Sequence, residues 1–273
     1  MRAWILAIAF AIAAGGAGAQ EGVDVKRSGL RLLPASTVER AAAQQYSDLM
    51  RQAAQKNALN VDRRQVERLR NIARALIPQS ARFHPDAQRW KWEVNLISSR
   101  NVNAFCMPGG KIAFFTGILE ALQLTDDEVA AVMGHEIAHA LLEHGRARMS
   151  EQVLKNVGVS VAASLLGLGQ MSTELLAQAA NLAVSLPYAR SQESDADLVG
   201  IELSARAGYD PRAAVSVWQK MQKAASQGAP GQAARGQPPQ FISTHPSHGT
   251  RIKDIESNLP RVLPLYDAAR RDR

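Results

Sequence analysis

The feature that most constrains the fold of this chain is the segment His135-Glu136-Ile137-Ala138-His139. Apolar residues recur around it at helical spacing, and Thr125 followed by Glu128 is the signature of a helix start. Residues four apart lie on one face of a helix, so the two imidazoles can reach one metal ion. Glu136 is offset by one position and can lie beside that ion without binding it. We therefore predict a buried helix that carries two ligands and a base and ends near Gly145.

An HExxH segment is the ligand-and-base unit of zinc hydrolases. A catalytic Zn²⁺ takes three protein ligands and keeps one position for water, so a third ligand is expected on a later helix. Glu193, near the start of the helical segment Ser191–Ala207, has the required chemistry. Asp197 follows one turn later and can hydrogen-bond the free ring nitrogen of a ligating histidine. Taken alone, this carboxylate pair would indicate a solvent-exposed helix face. Together with the HExxH segment, it favours one zinc site per chain.

Before this helix, the alternation of apolar residues over Trp90–Ser98 predicts one strand, and a strand, a turn and a further strand are predicted after it. Val102–Met107 is followed by Pro108-Gly109-Gly110 and by the apolar segment Lys111–Phe115. Pro108 cannot donate to a ladder, which indicates that Val102–Met107 lies at a sheet edge. An exposed edge could hold an extended peptide by strand addition, although a simple hairpin explains the pattern equally well. The residues that would contact such a peptide are Asn103, Ala104, Phe105 and Cys106.

Most of the remaining chain has helical patterns. Apolar stripes predict helices at Ser36–Ala53 and, between a cap at Asp62 and a stop at Pro78, at Arg63–Ile77. The apolar region Glu151–Leu186 is predicted as a helical hairpin over the active-site helix, because polar and glycine residues interrupt it and a bilayer span needs about 20 apolar residues. Capping residues and composition predict the other elements. Predicted shorter elements are a helix capped by Thr116, a helix from Asp210 to Ala225, a loop at 227–240 and a last helix from Ser247 to Asn258.

These elements predict an α+β fold that is mainly helical. The fold is expected to be zincin-like, with a small sheet whose edge strand borders the active-site helix. No repeat or composition change divides the chain, so residues 20–273 are predicted to form one domain. The single cysteine, Cys106, excludes an intrachain disulfide and is expected to be a small buried apolar residue.

The net charge of +7 does not by itself indicate a nucleic-acid partner. Aromatic residues make up only 5% of the chain, and the basic residues are spread along helices that also carry acidic residues. This distribution favours a solvated basic surface, and no nucleic-acid binding is expected.

The N-terminus predicts export from the cytoplasm. Arg2 precedes the apolar run Ala3–Ala14, and Ala17-Gly18-Ala19 then gives a cleavage site before Gln20. An uncleaved anchor is the alternative, but the run is short for a bilayer span. No cysteine follows the run, so the product would not be lipidated. Residues 1–19 are therefore predicted as a signal peptide, and the mature protein is expected in a bacterial periplasm or outside the cell, without a transmembrane anchor.

Further motifs complete an ordered set. After HExxH come Glu193-Ser194-Asp195-Ala196-Asp197, then Thr244-His245-Pro246 and Arg251-Ile252. In this order they resemble metallopeptidase family M48, the gluzincin family that includes HtpX, the CAAX prenyl protease and the periplasmic beta-barrel assembly-enhancing protease. The segment Asn103–Gly117 is similar to a strand block of the same family. The resemblance covers about Ser36–Asn258 and implies the soluble, periplasmic, single-domain branch.

The resemblance implies a zinc endopeptidase that degrades misfolded or unassembled envelope proteins, with the outer-membrane protein assembly machinery as a further partner. His135, His139 and Glu193 would hold zinc and Glu136 would be the base. The alternative is a chaperone-like outer-membrane protein assembly factor whose zinc is largely structural. Arg251, like Asp197, is expected to support the ligands without binding the metal. Candidate donors to the oxyanion of the reaction are His245, Tyr188, Arg190 and Arg251.

His245 has a second implied role. In the assembly-enhancing branch a histidine in the corresponding loop is a fourth zinc ligand that keeps the enzyme latent. The resemblance implies that His245 could do the same, while a structural histidine remains the alternative. Three other histidines are interpreted as ordinary surface or packing residues: His84, His144 and His248.

Overall fold

The computed structural model describes residues 22–25, 27, 29–155, 187–227, 240–246 and 249–271. Three predictions therefore lie wholly or mostly outside the described residues: the signal peptide at 1–19, the helical hairpin Glu151–Leu186 and the loop at 227–240. His248 and the predicted cap Ser247 also lie outside them. In the part of the chain that is described, no helix has the length and apolar character needed to cross a membrane.

The described chain is mainly helical with one small sheet, which confirms the predicted α+β class. Two 3-10 segments, Ile77–Arg82 and Pro85–Arg89, follow the second helix. The helices are α1 (Ala35–Gln55), α2 (Arg63–Leu76), α3 (Thr116–Leu122), α4 (Asp126–Leu141), α5 (144–155), α6 (Arg190–Arg206), α7 (Ala213–Gln227), α8 (Gln240–Thr244) and α9 (Arg251–Arg271).

The sheet has three strands in the order β1-β3-β2. They are β1 (Glu93–Ile97), β2 (Ala104–Met107) and β3 (Lys111–Phe115). β2 pairs antiparallel with β3, with Cys106 opposite Ile112, whereas β1 pairs parallel with β3. Gly109 and Gly110 turn the hairpin at φ values of 80° and 81°, a conformation that glycine adopts without strain. β2 therefore lies at the sheet edge, as predicted, and packs against α4.

The start of α4 is held by the predicted capping box. The Thr125 hydroxyl accepts from the Glu128 backbone N–H, and the Glu128 carboxylate accepts from the Thr125 N–H. Glu128 also accepts hydrogen bonds from Lys220 and Ser216, which tie α7 to this end of α4. Burial alone would raise the pKa of Glu128, but these hydrogen bonds bring that pKa below its ordinary value. Every residue of α4 from Glu128 to Leu141 is buried, so this helix lies at the centre of the molecule.

α4 and α6 cross at two glycines. A Cβ on Gly134 would lie 2.9 Å from the Gly200 carbonyl oxygen, and a Cβ on Gly200 would lie 2.9 Å from the His135 backbone nitrogen. Both distances are too short for a side chain, so the two helix backbones are in direct contact. This contact brings the first turns of α6 to the HExxH segment.

Several predicted boundaries were wrong. α4 ends at Leu141 because Glu143 adopts φ 58° and turns the chain, and Gly145 lies inside α5. α9 continues past Asn258 and through Pro260 and Pro264, because its buried residues Ile255, Val262 and Tyr266 pack on the core. Local rules place helix ends at such prolines, but tertiary packing outweighs that preference here.

Smaller differences concern helix starts and β1. Thr116 does not cap α3, because its hydroxyl donates to the Ser99 carbonyl instead. Asp210 begins a turn, and α7 starts only at Ala213. β1 begins at Glu93 rather than Trp90, whose ring packs against His84.

Candidate metal centre

Four buried side chains converge between α4, α6 and the segment after α8. They are His135, His139, Glu193 and His245, and one potential ligand atom from each lies within 4.8 Å of the others. The His135 and His139 Nε2 atoms are 3.1 Å apart. His245 Nδ1 lies 3.2 Å from His135 Nε2 and 3.1 Å from Glu193 Oε1. Glu193 Oε1 lies 3.4 Å from His139 Nε2, which closes the cluster.

These distances fit a tetrahedral metal. Ligand atoms about 2.0–2.1 Å from a zinc ion stand about 3.3–3.4 Å from one another at tetrahedral corners. At such distances the ring nitrogens of neutral imidazoles point lone pairs at one another, and a bound cation removes this repulsion. Three imidazoles and one carboxylate are also ligands that zinc commonly binds. The cluster is therefore able to bind a metal ion.

The charge of the surroundings favours a bound cation. Glu136, Glu193 and Asp197 are three buried carboxylates around the cluster, and the Arg251 guanidinium pairs with two of them, Glu193 and Asp197. Burying unbalanced charge is costly, and a cation held by the cluster would offset negative charge here. Burial alone would raise the pKa of Glu193, but the imidazoles of His245, His135 and His139 hold that pKa well below its ordinary value.

Asp197 and Arg251 hold two of the potential ligands in place without being part of the cluster. Asp197 Oδ1 lies 3.0 Å from His135 Nδ1, the nitrogen that faces away from the cluster. Arg251 donates to Asp197 through Nε and Nη2, at 2.6 Å each, and to Glu193 Oε2 through Nη1 at 2.5 Å. Burial works against ionisation of Asp197, yet Arg251 and His135 bring its pKa below the ordinary value. The engaged guanidinium fits a supporting role and does not fit the oxyanion role that the sequence left open for Arg251.

Glu136 faces the same centre from the sheet side. Its Oε1 lies 3.4 Å from His245 Nε2. Burial raises the pKa of Glu136, partly offset by charges on nearby histidines and a hydrogen bond from the Cys106 backbone. The cleft around Glu136 is also lined by the four residues predicted to contact a peptide, Asn103, Ala104, Phe105 and Cys106. The edge strand therefore runs alongside the predicted base. Cys106 itself is buried, as expected, which raises the pKa of its thiol.

Backbone hydrogen bonds hold the segment that carries His245. The Phe241 N–H donates to the Val102 carbonyl at 3.0 Å, next to the start of β2. The Tyr188 N–H donates to the Thr244 carbonyl at 3.1 Å. The His245 imidazole is thereby placed between the cluster and Glu136.

The sequence matches peptidase family M48 over residues 63–259, which is more than half of the chain. The chain belongs to peptidase family M48. Its relatives include the mitochondrial metalloendopeptidase OMA1 of Schizosaccharomyces pombe, 39% identical over 63% of this chain and 48% of the relative. The OMA1 of Arabidopsis thaliana is 39% identical over 64% of this chain and 33% of the relative. A putative beta-barrel assembly-enhancing protease of Vibrio cholerae is 31% identical over 62% of this chain and 35% of the relative. The chain thus spans about a third to a half of the length of these relatives.

One residue of this M48 domain contacts a histidine of the cluster, and another contacts the tyrosine ring that stacks on that histidine, although neither was singled out for such a position. His144, interpreted from the sequence as an ordinary surface or packing residue, is fully buried with its Nδ1 2.9 Å from His139 Nδ1. Burial lowers the pKa of His144 to about 3. Arg148 places its guanidinium 3.5 Å from the centre of the Tyr188 ring. No local pattern could have found either residue, because both contacts depend on the chain reversal at Glu143.

Tyr188 and Arg190, two of the candidate oxyanion donors, differ in their surroundings. The Tyr188 ring stacks on the His139 imidazole with centroids 3.8 Å apart, and burial raises the pKa of Tyr188. Arg190 is exposed at the first position of α6. Tyr188 is therefore the better placed of the two to meet a substrate bound over His139.

Proposed function

We propose that this chain is a zinc-dependent endopeptidase of the bacterial periplasm that degrades misfolded or unassembled envelope proteins. The observation that carries the proposal is the convergence of His135, His139 and Glu193, with Glu136 directly beside them. Membership of family M48 and relatives named metalloendopeptidases support it. In this proposal His135, His139 and Glu193 hold one Zn²⁺ ion.

The residues of the chain would share the work of hydrolysis. Zinc bound here would polarise a scissile carbonyl and lower the pKa of water, as it does in other hydrolases. Glu136 accepts the proton of the attacking water and passes it to the leaving amine, and a pKa raised by burial suits a group that must do both. Asp197 orients His135 through its Nδ1. The edge strand β2 holds the substrate as an extended strand.

The decisive variant is Glu136→Gln, which removes the base and leaves a side chain of the same shape. We expect cleavage of unfolded casein to fall at least about 100-fold, as for loss of a general base, with zinc content unchanged. Glu120→Gln is the matched control, because Glu120 is an exposed glutamate at the end of α3. Cleavage by Glu136→Gln at the wild-type rate would overturn the assignment.

His245 is proposed to keep the enzyme idle. Its Nδ1 lies among the other three potential ligand atoms and would take the position that water needs, and its Nε2 faces Glu136. We expect His245→Ala to raise casein cleavage about tenfold or more, because the fourth position is freed. A loss of cleavage in this variant would show that His245 supports the oxyanion instead. Phe241→Leu is the comparison variant, because it keeps the His245 imidazole and removes only the aromatic ring that stacks on it. It therefore separates loss of the imidazole from loss of this packing.

A chaperone-like assembly factor with a structural zinc is the second candidate. Four protein ligands around one metal are typical of structural zinc sites, and a relative from Vibrio cholerae is named for beta-barrel assembly. Complementation separates the two functions. Restoration of outer-membrane protein assembly by Glu136→Gln in cells would favour the assembly factor, whereas failure would favour the peptidase.

The location and extent of the mature chain are part of the proposal. Export through the predicted signal peptide would give a single-domain product that begins at Gln20. Expression of the full chain in a Gram-negative host, followed by N-terminal sequencing of the periplasmic fraction, tests this. A product that still carries Arg2 would contradict it.

A further inference from the structure

We propose that His144 is a positioning residue for the metal centre, which accepts the Nδ1 hydrogen of His139 and so directs His139 Nε2 toward the metal. This inference rests on the proposed zinc site. It adds a buried histidine, five residues beyond the HExxH segment, to the parts on which metal binding depends.

The contact is short, buried and matched by a second one. His144 Nδ1 lies 2.9 Å from His139 Nδ1, and the His144 side chain is fully buried. On the neighbouring ligand, Asp197 Oδ1 lies 3.0 Å from His135 Nδ1. Each histidine of the HExxH segment thus has a polar atom within 3.0 Å of the ring nitrogen that faces away from the cluster, a hydrogen-bond partner for His139 and an ion-pair partner for His135. Such partners hold a ligating imidazole in one tautomer and one orientation.

The cluster determines which of the two histidines donates. His139 Nε2 lies 3.1 Å from His135 Nε2 and 3.4 Å from Glu193 Oε1, so Nε2 is its ligand atom. A neutral imidazole has one N–H, which must then be on Nδ1. His144 Nδ1 therefore accepts, and the proton of His144 is on Nε2. That Nε2 atom is buried and has no hydrogen-bond partner among the described residues, so the bond to His139 is the one polar contact seen for this ring.

The backbone between the two histidines aims His144 at its partner. In a continuous helix, a residue five positions on is rotated by about 140° and points elsewhere. Glu143 breaks the helix with φ 58°, a conformation uncommon for residues other than glycine. Its carboxylate accepts from Arg146 at 2.6 Å and pairs with Arg31 at 3.4 Å. These ion pairs hold the turn that returns His144 to the metal centre.

Two substitutions of nearly equal shape separate positioning from packing. In His144→Asn, the amide oxygen occupies about the place of Nδ1 and can still accept from His139. In His144→Leu, the side chain has a similar size and branching but no acceptor. His84→Leu is the control, because His84 is a buried histidine that packs on Trp90 rather than on a ligand.

The zinc dissociation constant of each purified protein is measured by competition with a chromophoric chelator. The visible spectrum of the cobalt-substituted proteins is recorded alongside. We expect His144→Leu to weaken zinc binding about 10- to 100-fold and to shift the cobalt bands, as loss of a ligand's outer partner does. We expect His144→Asn to stay within about threefold of wild type, and His84→Leu to match wild type.

Equal zinc affinities for folded His144→Leu and His144→Asn would overturn the inference, whether both matched wild type or both were weakened alike. Circular dichroism of the metal-free proteins shows that each variant is folded before the comparison is made. The proposed zinc site can fail separately, because wild-type protein would then bind no zinc at all.

Discussion

Arg251 is the single residue on which the charge balance behind the ligands depends. Its guanidinium is 1% exposed, bridges Asp197 and Glu193, and lies 3.7 Å from the centre of the Trp218 ring. Three of its nitrogens donate to carboxylates in a planar arrangement. A lysine ammonium cannot reproduce that fork, so the two basic residues are not interchangeable here.

We predict that Arg251→Met lowers the free energy of unfolding by about 3–5 kcal/mol, because it leaves two buried carboxylates without their cation. Arg251→Lys should restore only part of this loss. Urea unfolding of the metal-free proteins measures both effects. Arg212→Met is the surface control, since Arg212 pairs with Asp210 in solvent and should change stability by less than about 1 kcal/mol. A fully stable Arg251→Met protein would contradict the prediction.

At the scale of secondary structure, the crossing of α4 and α6 sets the geometry of the metal centre. The crossing is as close as it is because Gly134 and Gly200 carry no side chains where the backbones meet. Two of the cluster residues are on α4 and a third is on α6. A small separation of the two helices would therefore move Glu193 away from the histidines.

We predict that Gly200→Ala destabilises the protein by about 1–3 kcal/mol and also weakens zinc binding. The new methyl group would meet the His135 backbone, which is part of a buried helix and has little room to move. Urea unfolding and chelator competition are the two measurements. Gly249→Ala is the control, because a Cβ there has no atom within 4 Å. Unchanged zinc affinity in Gly200→Ala would show that the helix contact does not set the ligand geometry.

At the scale of the whole molecule, the described part of the segment before α1 is attached to several distant elements. The Val23 N–H donates to the fully buried Glu202 carboxylate, which also accepts from Arg82 and Arg206. The Leu33 N–H donates to the Ser150 hydroxyl on α5, and the Leu33 side chain is fully buried. The segment thus connects α6 with α5 across the molecule.

We predict that a chain starting at Ala35 is less stable than one starting at Gln20 by about 3–5 kcal/mol. The shorter chain loses the burial of Val23 and Leu33, each worth about 1.5–3 kcal/mol, and one partner of buried Glu202. Urea unfolding of the two purified proteins gives the comparison. A chain starting at Gln20 should match a chain starting at Gly22, which controls for the terminus itself. Equal midpoints for the chains starting at Gln20 and Ala35 would contradict the prediction.

The sequence by itself determined the parts of this protein that depend on local spacing. The helical repeat placed His135 and His139 on one face, and the capping box placed the start of α4 correctly. Pro108 identified β2 as an edge strand, and the pattern of elements gave the α+β class. These features follow from interactions among residues a few positions apart, which any window of the sequence contains.

The tertiary structure alone decided which distant groups meet. It placed His144 against His139 through the turn at Glu143, and it joined Asp197 to Glu193 through Arg251. It also extended α9 through two prolines that local rules take as helix ends. The physical reason is the same in each case: a buried polar group must find a partner and an apolar face must find a surface, and those requirements are satisfied by residues far apart in the chain.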